Sequence, residues 1–140
     1  MSLPGTLSVL LVEDSRLDVA LFRAVLADAL QSGELRLDEA GALSEALARL
    51  AEGTYDCILL DLGLPDGRGL DSLPLVRAAA PTAAVVVLTG LDSEAHARAA
   101  LRAGAQDYLV KGQYQAGVLL QRLRQAVADA RRTGFRPPEA

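Results

Sequence analysis

A chain of 140 residues that is 51% hydrophobic and 23% charged carries enough apolar material for one compact domain, and its composition excludes disorder. Its formal net charge of −4 argues against a general surface for nucleic acid or anionic membrane. A single Cys cannot form an internal disulfide, which fits a reducing compartment; no apolar run approaches the roughly 20 residues of a spanning helix, and Met1 to Gly5 lack the basic start and apolar core of a secretory signal. A cytoplasmic domain with an aliphatic core is therefore expected, since the chain has two Phe, three Tyr and no Trp.

Leu7 to Val12 is a short apolar run and reads as a buried strand that stops at Glu13-Asp14-Ser15. From Leu17 the period changes. Leu17, Ala20, Leu21, Ala24 and Val25 share one helical face, Asp14 or Ser15 can cap the helix, and Gly33 ends it. Leu35-Arg36-Leu37 alternates and is short and charged, as an edge strand would be. Ala42 to Leu50 reads as a second helix with a cap at Ser44. Cys57-Ile58-Leu59-Leu60 is a third strand that ends in a single acid, Asp61, at the mouth of a Gly- and Pro-rich turn. Gly69 to Ala80 reads as a third helix. Pro74 falls inside that span, which moves the true start toward Leu73 with the proline in the first turn. Ala83 to Leu88 is the most strand-like run and stops at Thr89-Gly90. Asp92 or Ser93 can cap a fourth helix that ends at Ala103 before Gly104. Tyr108-Leu109-Val110 is a fifth strand ending at Lys111-Gly112, and a fifth helix runs from about Tyr114 to Arg131 with Ala116, Leu119, Leu120, Leu123, Ala126, Val127 and Ala130 inward. Residues 1–132 form the expected domain, and 133–140 a linker or tail.

Five strands alternating with five helices imply a doubly wound α/β domain, a parallel sheet covered on both faces in three layers. In such sheets the site lies at the carboxyl ends of the strands. There the sequence puts Glu13 and Asp14, Asp61, Thr89 and Lys111. Three carboxylates on one rim repel one another unless positive charge intervenes. Magnesium suits hard oxygen donors, and the only His and Cys, His96 and Cys57, read as an exposed helix residue and a small core residue. Carboxylates, magnesium, a lysine and a hydroxyl are the parts of phosphoryl transfer, with Asp61 as the nucleophile and an aspartyl phosphate as product.

These motifs, namely Glu13-Asp14, Asp61 followed by Leu64-Pro65-Asp66-Gly67, Thr89-Gly90 and Tyr108-Leu109-Val110-Lys111, resemble those of response-regulator receiver domains of two-component signalling over about Leu7 to Arg131. The resemblance implies a flavodoxin-like sheet of order 2-1-3-4-5. It implies that Asp61 takes phosphate from a histidine kinase or phosphotransfer protein. Glu13, Asp14, Asp61 and the Gly63 carbonyl would hold magnesium, while Thr89 and Lys111 contact the phosphoryl oxygens. Tyr108 would couple Thr89 to the face of the fourth helix, fifth strand and fifth helix. That face would control a partner or output domain, or pair with a second copy. Such a domain is a phosphoacceptor switch that assists its own phosphotransfer and dephosphorylation, not a turnover enzyme.

One departure stands out. Receivers commonly carry Lys-Pro with a cis bond where this chain has Lys111-Gly112, and a cis bond before Gly would cost roughly 3 kcal/mol, so a trans bond is expected. Gly63 and Leu91, two residues beyond Asp61 and Thr89, cannot hydrogen-bond an attacking water, which implies slow self-dephosphorylation. Two alternatives stand beside the switch. One is a receiver-like binding module that takes no phosphate. The other is a magnesium phosphatase with an Asp nucleophile, of the haloacid dehalogenase type, which Asp61-Leu62-Gly63 fits poorly because the second acid of D-x-D is missing.

Overall fold

Five strands, β1 (Leu7–Val12), β2 (Leu35–Ala40), β3 (Cys57–Asp61), β4 (Ala84–Thr89) and β5 (Asp107–Val110), pair in the order β2-β1-β3-β4-β5, every pair parallel. This is a computed structural model and describes residues 5–67, 69–90 and 94–133. The expected caps Asp92 and Ser93, Leu91 and the tail from Gly134 lie outside the described residues, as do Met1 to Pro4. The helices are α1 (Arg16–Val25), α2 (Ala27–Ser32), α3 (Leu43–Glu52), α4 (Ser72–Ala79), α5 (Glu94–Arg102) and α6 (Ala116–Thr133), with a 3-10 turn over Gly69–Asp71.

Successive residues of a strand point to opposite faces, and each face of this sheet is covered. Val9, Leu11, Cys57, Leu59, Val86 and Leu88 pack with α1, α2 and α6. Leu10, Val12, Ile58, Leu60, Val85 and Val87 pack with α3, α4 and α5. That double burial is why β1, β3 and β4 are apolar but for Ser8 and the terminal Asp61 and Thr89. β2 sits at the edge as expected, and extends to Ala40.

Several local expectations need correction. The first expected helix is two: the helix is interrupted at Leu26, whose ψ of 13° leaves the helical range although its N–H still reaches the Phe22 carbonyl, and both halves lay side chains, Phe22 and Ala29, into the same cluster with Leu26 itself. Among the described residues there are therefore six α-helices, not five. The inward face of α1 also differs. Val19, Phe22 and Leu26 are buried, while Leu17 and Leu21 are 69% and 50% exposed, because the stripe holding the bulky Phe22 fills the core better than one rich in Ala. Ser44 does not cap α3. Asp66 does, from 22 residues away, accepting the N–H groups of Leu43 and Ser44 at 2.8 and 3.0 Å. α6 begins at Ala116, which is exposed; Tyr114 lies before it and sets its ring edge-on to Phe22, centroids 5.6 Å apart. Other readings stand. Ser15 caps α1 through its side chain, Gly33 closes α2 with φ 84°, and Pro74 occupies the first turn of α4, where no N–H is missed.

Candidate phosphoacceptor site

Parallel pairing brings the carboxyl ends of β1, β3, β4 and β5 to one rim, and backbone bonds fix the residues just beyond them. Glu13 N–H donates to the Ala40 carbonyl at 2.9 Å, Leu62 N–H to Leu88 at 3.1 Å, and Lys111 N–H to Thr89 at 2.8 Å. Asp61 ends β3 and Thr89 ends β4, both buried.

The side chains converge as the sequence implies. Carboxylate oxygens of Glu13, Asp14 and Asp61 lie within 4.8 Å of one another. The Lys111 ammonium stands 2.6 Å from Glu13 Oε1 and 3.2 Å from Asp61 Oδ1. Gly63 N–H donates to Asp61 Oδ1 at 3.0 Å, and Ser15 N–H to Glu13 Oε2 at 3.2 Å. A cavity of about 400 Å³ opens over these groups, lined also by Thr89, Gly63 and His96.

The electrostatics follow from burial and crowding. Burial pushes the Glu13 carboxyl up from the usual 4.5 to about 7; neighbouring Asp61 adds to the rise, and Lys111 opposes it. Burial disfavours the Lys111 ammonium, but hydrogen bonds and charge from Glu13, Asp61 and Asp18 outweigh it and raise its pKa.

The donor set fits a hard divalent cation. It is all oxygen and partly open to solvent through exposed Asp14, as an ion that keeps several waters requires. His96 lines the cavity but is not among the clustered donors. Its expected plain exposure is also corrected: the imidazole is half-buried, 6.1 Å from the Tyr108 ring. Tyr108 is half-buried against the α3, α4 and α5 cluster. Cys57 is fully buried, and burial raises its thiol pKa, as a core residue requires.

No peptide bond is cis among the described residues, so Lys111-Gly112 is trans, and Gly112 takes φ 84°. Sequence reasoning missed one member of the site. Asp18, in the first turn of α1, accepts a hydrogen bond from Lys111 Nζ at 3.2 Å. Its signal was its spacing: four residues past Asp14, one helical turn on from the acidic pair.

Known proteins resemble this chain over most of its length. The family model for the response regulator receiver domain matches residues 9–124. The KDP operon transcriptional regulatory protein KdpE of Escherichia coli is 40% identical over 122 residues, 86% of this chain and 51% of that protein. The response regulator protein PilR of Pseudomonas aeruginosa is 40% identical over 110 residues, 77% of this chain and 23% of that protein. The chain thus spans about half or less of the length of these relatives. A CheY-like receiver domain from Methanospirillum hungatei superposes with a TM-score of 0.76 at 21% identity, covering 92% of this chain and 99% of that one. A response regulator from Burkholderia pseudomallei, solved with a phosphorylated aspartic acid, a calcium ion and citrate, gives a TM-score of 0.68 at 25% identity, covering 90% of this chain and 71% of that one. With its strand order, its acidic rim and its matched residues, the chain belongs to the response regulator receiver domain family of two-component systems.

Proposed function

We propose that Asp61 is the phosphoacceptor of a phosphorelay and that its phosphorylation switches the α5, β5 and α6 face. The carrying observation is the convergence of Glu13, Asp14 and Lys111 on one buried aspartate at a strand end. An Asp61 carboxylate oxygen attacks the phosphorus of a phosphohistidine on a histidine kinase or phosphotransfer protein. The P–N bond breaks, its electron pair stays on the imidazole, and the phosphoryl group becomes an acyl phosphate. Glu13, Asp14 and Asp61, with the Gly63 carbonyl, would hold magnesium, which neutralises charge on the transferring group. Lys111 pairs with one phosphoryl oxygen, and the Thr89 hydroxyl donates to another. Tyr108 responds to Thr89 and carries the change to the outer face, where Leu101 and Val118 are exposed.

The donor's approach is supported by the exposed Leu17 and Leu21 of α1 and by an apolar hollow of about 360 Å³ between Leu21, Ala24, Val25 and Tyr114 beside Lys111. Residues 1–132 act as the switch, and 133–140 lead toward an output or partner. No helix among the described residues is long and apolar enough to cross a membrane, which is compatible with a cytoplasmic relay. A phosphatase of the haloacid dehalogenase type would need an acid at position 63, and Gly63 supplies none.

The test is incubation with magnesium and acetyl phosphate. Intact mass should rise by one phosphoryl group in the wild type and not in Asp61→Asn. Equal labelling of both, or of neither, overturns the assignment.

A further inference from the structure

Lys111 Nζ has three donors and faces three carboxylates: Glu13 at 2.6 Å, Asp61 at 3.2 Å and Asp18 at 3.2 Å. The ammonium is held before any phosphoryl group arrives, by a hydrogen bond to Asp18 and by close ion pairs to Glu13 and Asp61. If Lys111 is to donate to a phosphoryl oxygen, one of these contacts must be given up.

The three differ in their freedom to leave. The Glu13 side chain is 1% exposed and anchored by the Ser15 N–H, and the Asp61 side chain is 4% exposed. Neither can turn into water. The Asp18 side chain is 34% exposed at the first turn of α1, so breaking its contact returns a carboxylate to solvent. Solvent also screens this pair more than the two made to buried carboxylates.

We infer that Asp18 is a positioning residue for Lys111: it holds the ammonium in the unphosphorylated protein and is exchanged for a phosphoryl oxygen when Asp61 is modified. This rests on the phosphoacceptor reading above. The alternative role for Asp18, an acid that merely favours the start of α1, would act on stability and not on the site. Gly112 makes the contact useful. With φ 84° and no ring, the residue after Lys111 gives the loop little stiffness of its own, so the side chain's place depends on its partners.

The experiment is titration with beryllofluoride, which stands in for the phosphoryl group, in saturating magnesium. It is followed by chemical-shift change in the wild type, Asp18→Asn, Asp18→Glu, Asp28→Asn and Asp61→Asn. Asp18→Asn keeps the shape and removes the competing charge, and should bind about threefold tighter than wild type. Asp18→Glu keeps the charge and should stay near wild type. Asp28→Asn makes the same charge change at an exposed position of α2 and should leave affinity unchanged. Equal or weaker binding by Asp18→Asn overturns the inference. So does an equal gain in Asp28→Asn, which would make the effect one of net charge. Binding in the wild type that Asp61→Asn abolishes keeps the phosphoacceptor reading, whatever Asp18 does. No binding in the wild type ends both.

Discussion

Arg77 donates to the side-chain oxygen of Gln106 at 2.6 Å, and that oxygen also accepts the Val85 N–H at 2.7 Å. The guanidinium, only 2% exposed, further donates to the carbonyls of Ala83 and Gly104 at 2.5 and 2.8 Å. It thus ties α4 to the amino ends of β4 and β5, the pole opposite the acidic rim. Arg77→Met keeps much of the volume but strands buried carbonyls. A loss of about 3 kcal/mol in chemical unfolding is expected, with labelling of Asp61 unchanged while the protein is folded. A stability change near zero would mean the carbonyls are satisfied without Arg77.

Asp66 makes a second long-range tie, from the loop after β3 to the start of α3. Hydrogen bonds from Ser44 and Leu43 N–H hold its carboxyl below the usual range. A lowered carboxylate pKa stabilises the fold above its unfolded value, and that stability is lost as pH falls through the folded one. Asp66→Ala should lower the melting temperature at neutral pH and lose its difference from wild type in acid. A difference that persists in acid would remove the cap from the explanation.

The sheet was legible because strands buried on both faces are dominated by apolar residues, and β1, β3 and β4 are apolar but for Ser8 and the terminal Asp61 and Thr89. The rim was legible because each of those runs stops at a polar residue. The Ser44 cap was misread because Asp66, the true cap, is a partner that no local window contains. The α1 face was misread because that helix has two apolar stripes. Periodicity does not say which one carries the residue, Phe22, that the core has room for. Asp18 was missed because its spacing from Asp14 puts it near the acidic pair but does not say that the Lys111 side chain, 93 residues on, reaches it.

Glu13 gives the site a pH dependence. Its carboxyl is pushed up to about 7, chiefly by burial, so without a cation it holds a proton through much of the range where an ordinary glutamate has lost one. Its contribution to stability is full below the usual 4.5 and is lost as pH rises through about 7. A bound divalent ion needs the carboxylate, so protons compete with it. Magnesium affinity measured by calorimetry should fall about tenfold per pH unit below that value and level off above it. Glu13→Gln should bind more weakly and flatten the profile. A wild-type affinity independent of pH would show that Glu13 is not a ligand.

Gly112 stands where the resemblance to receivers leads one to expect proline, so Gly112→Pro looks like a restoration. The backbone argues otherwise. Gly112 has φ 84° after a trans bond, and proline is confined to φ near −65°. The substitution should destabilise the protein by more than about 1 kcal/mol and weaken beryllofluoride binding by moving Lys111. Unchanged stability with tighter binding would mean the loop accepts the other geometry without strain.

Under the proposed phosphorylation of Asp61, Gly63 should set how long the phosphoryl group stays. A β-carbon there would stand 3.6 Å from Asp61 Oδ1, an ordinary contact, and the position needs no left-handed backbone. A side chain therefore fits beside the acceptor, and its absence leaves nothing at this position to orient a water for attack on the acyl phosphate. The wild type should hold its phosphate for much longer than seconds. Gly63→Asn, which adds an amide able to hydrogen-bond water, should shorten the half-life severalfold in single-turnover decay followed by intact mass. Equal half-lives would place the control of hydrolysis elsewhere on the rim, and loss of phosphate within seconds in the wild type would remove the premise.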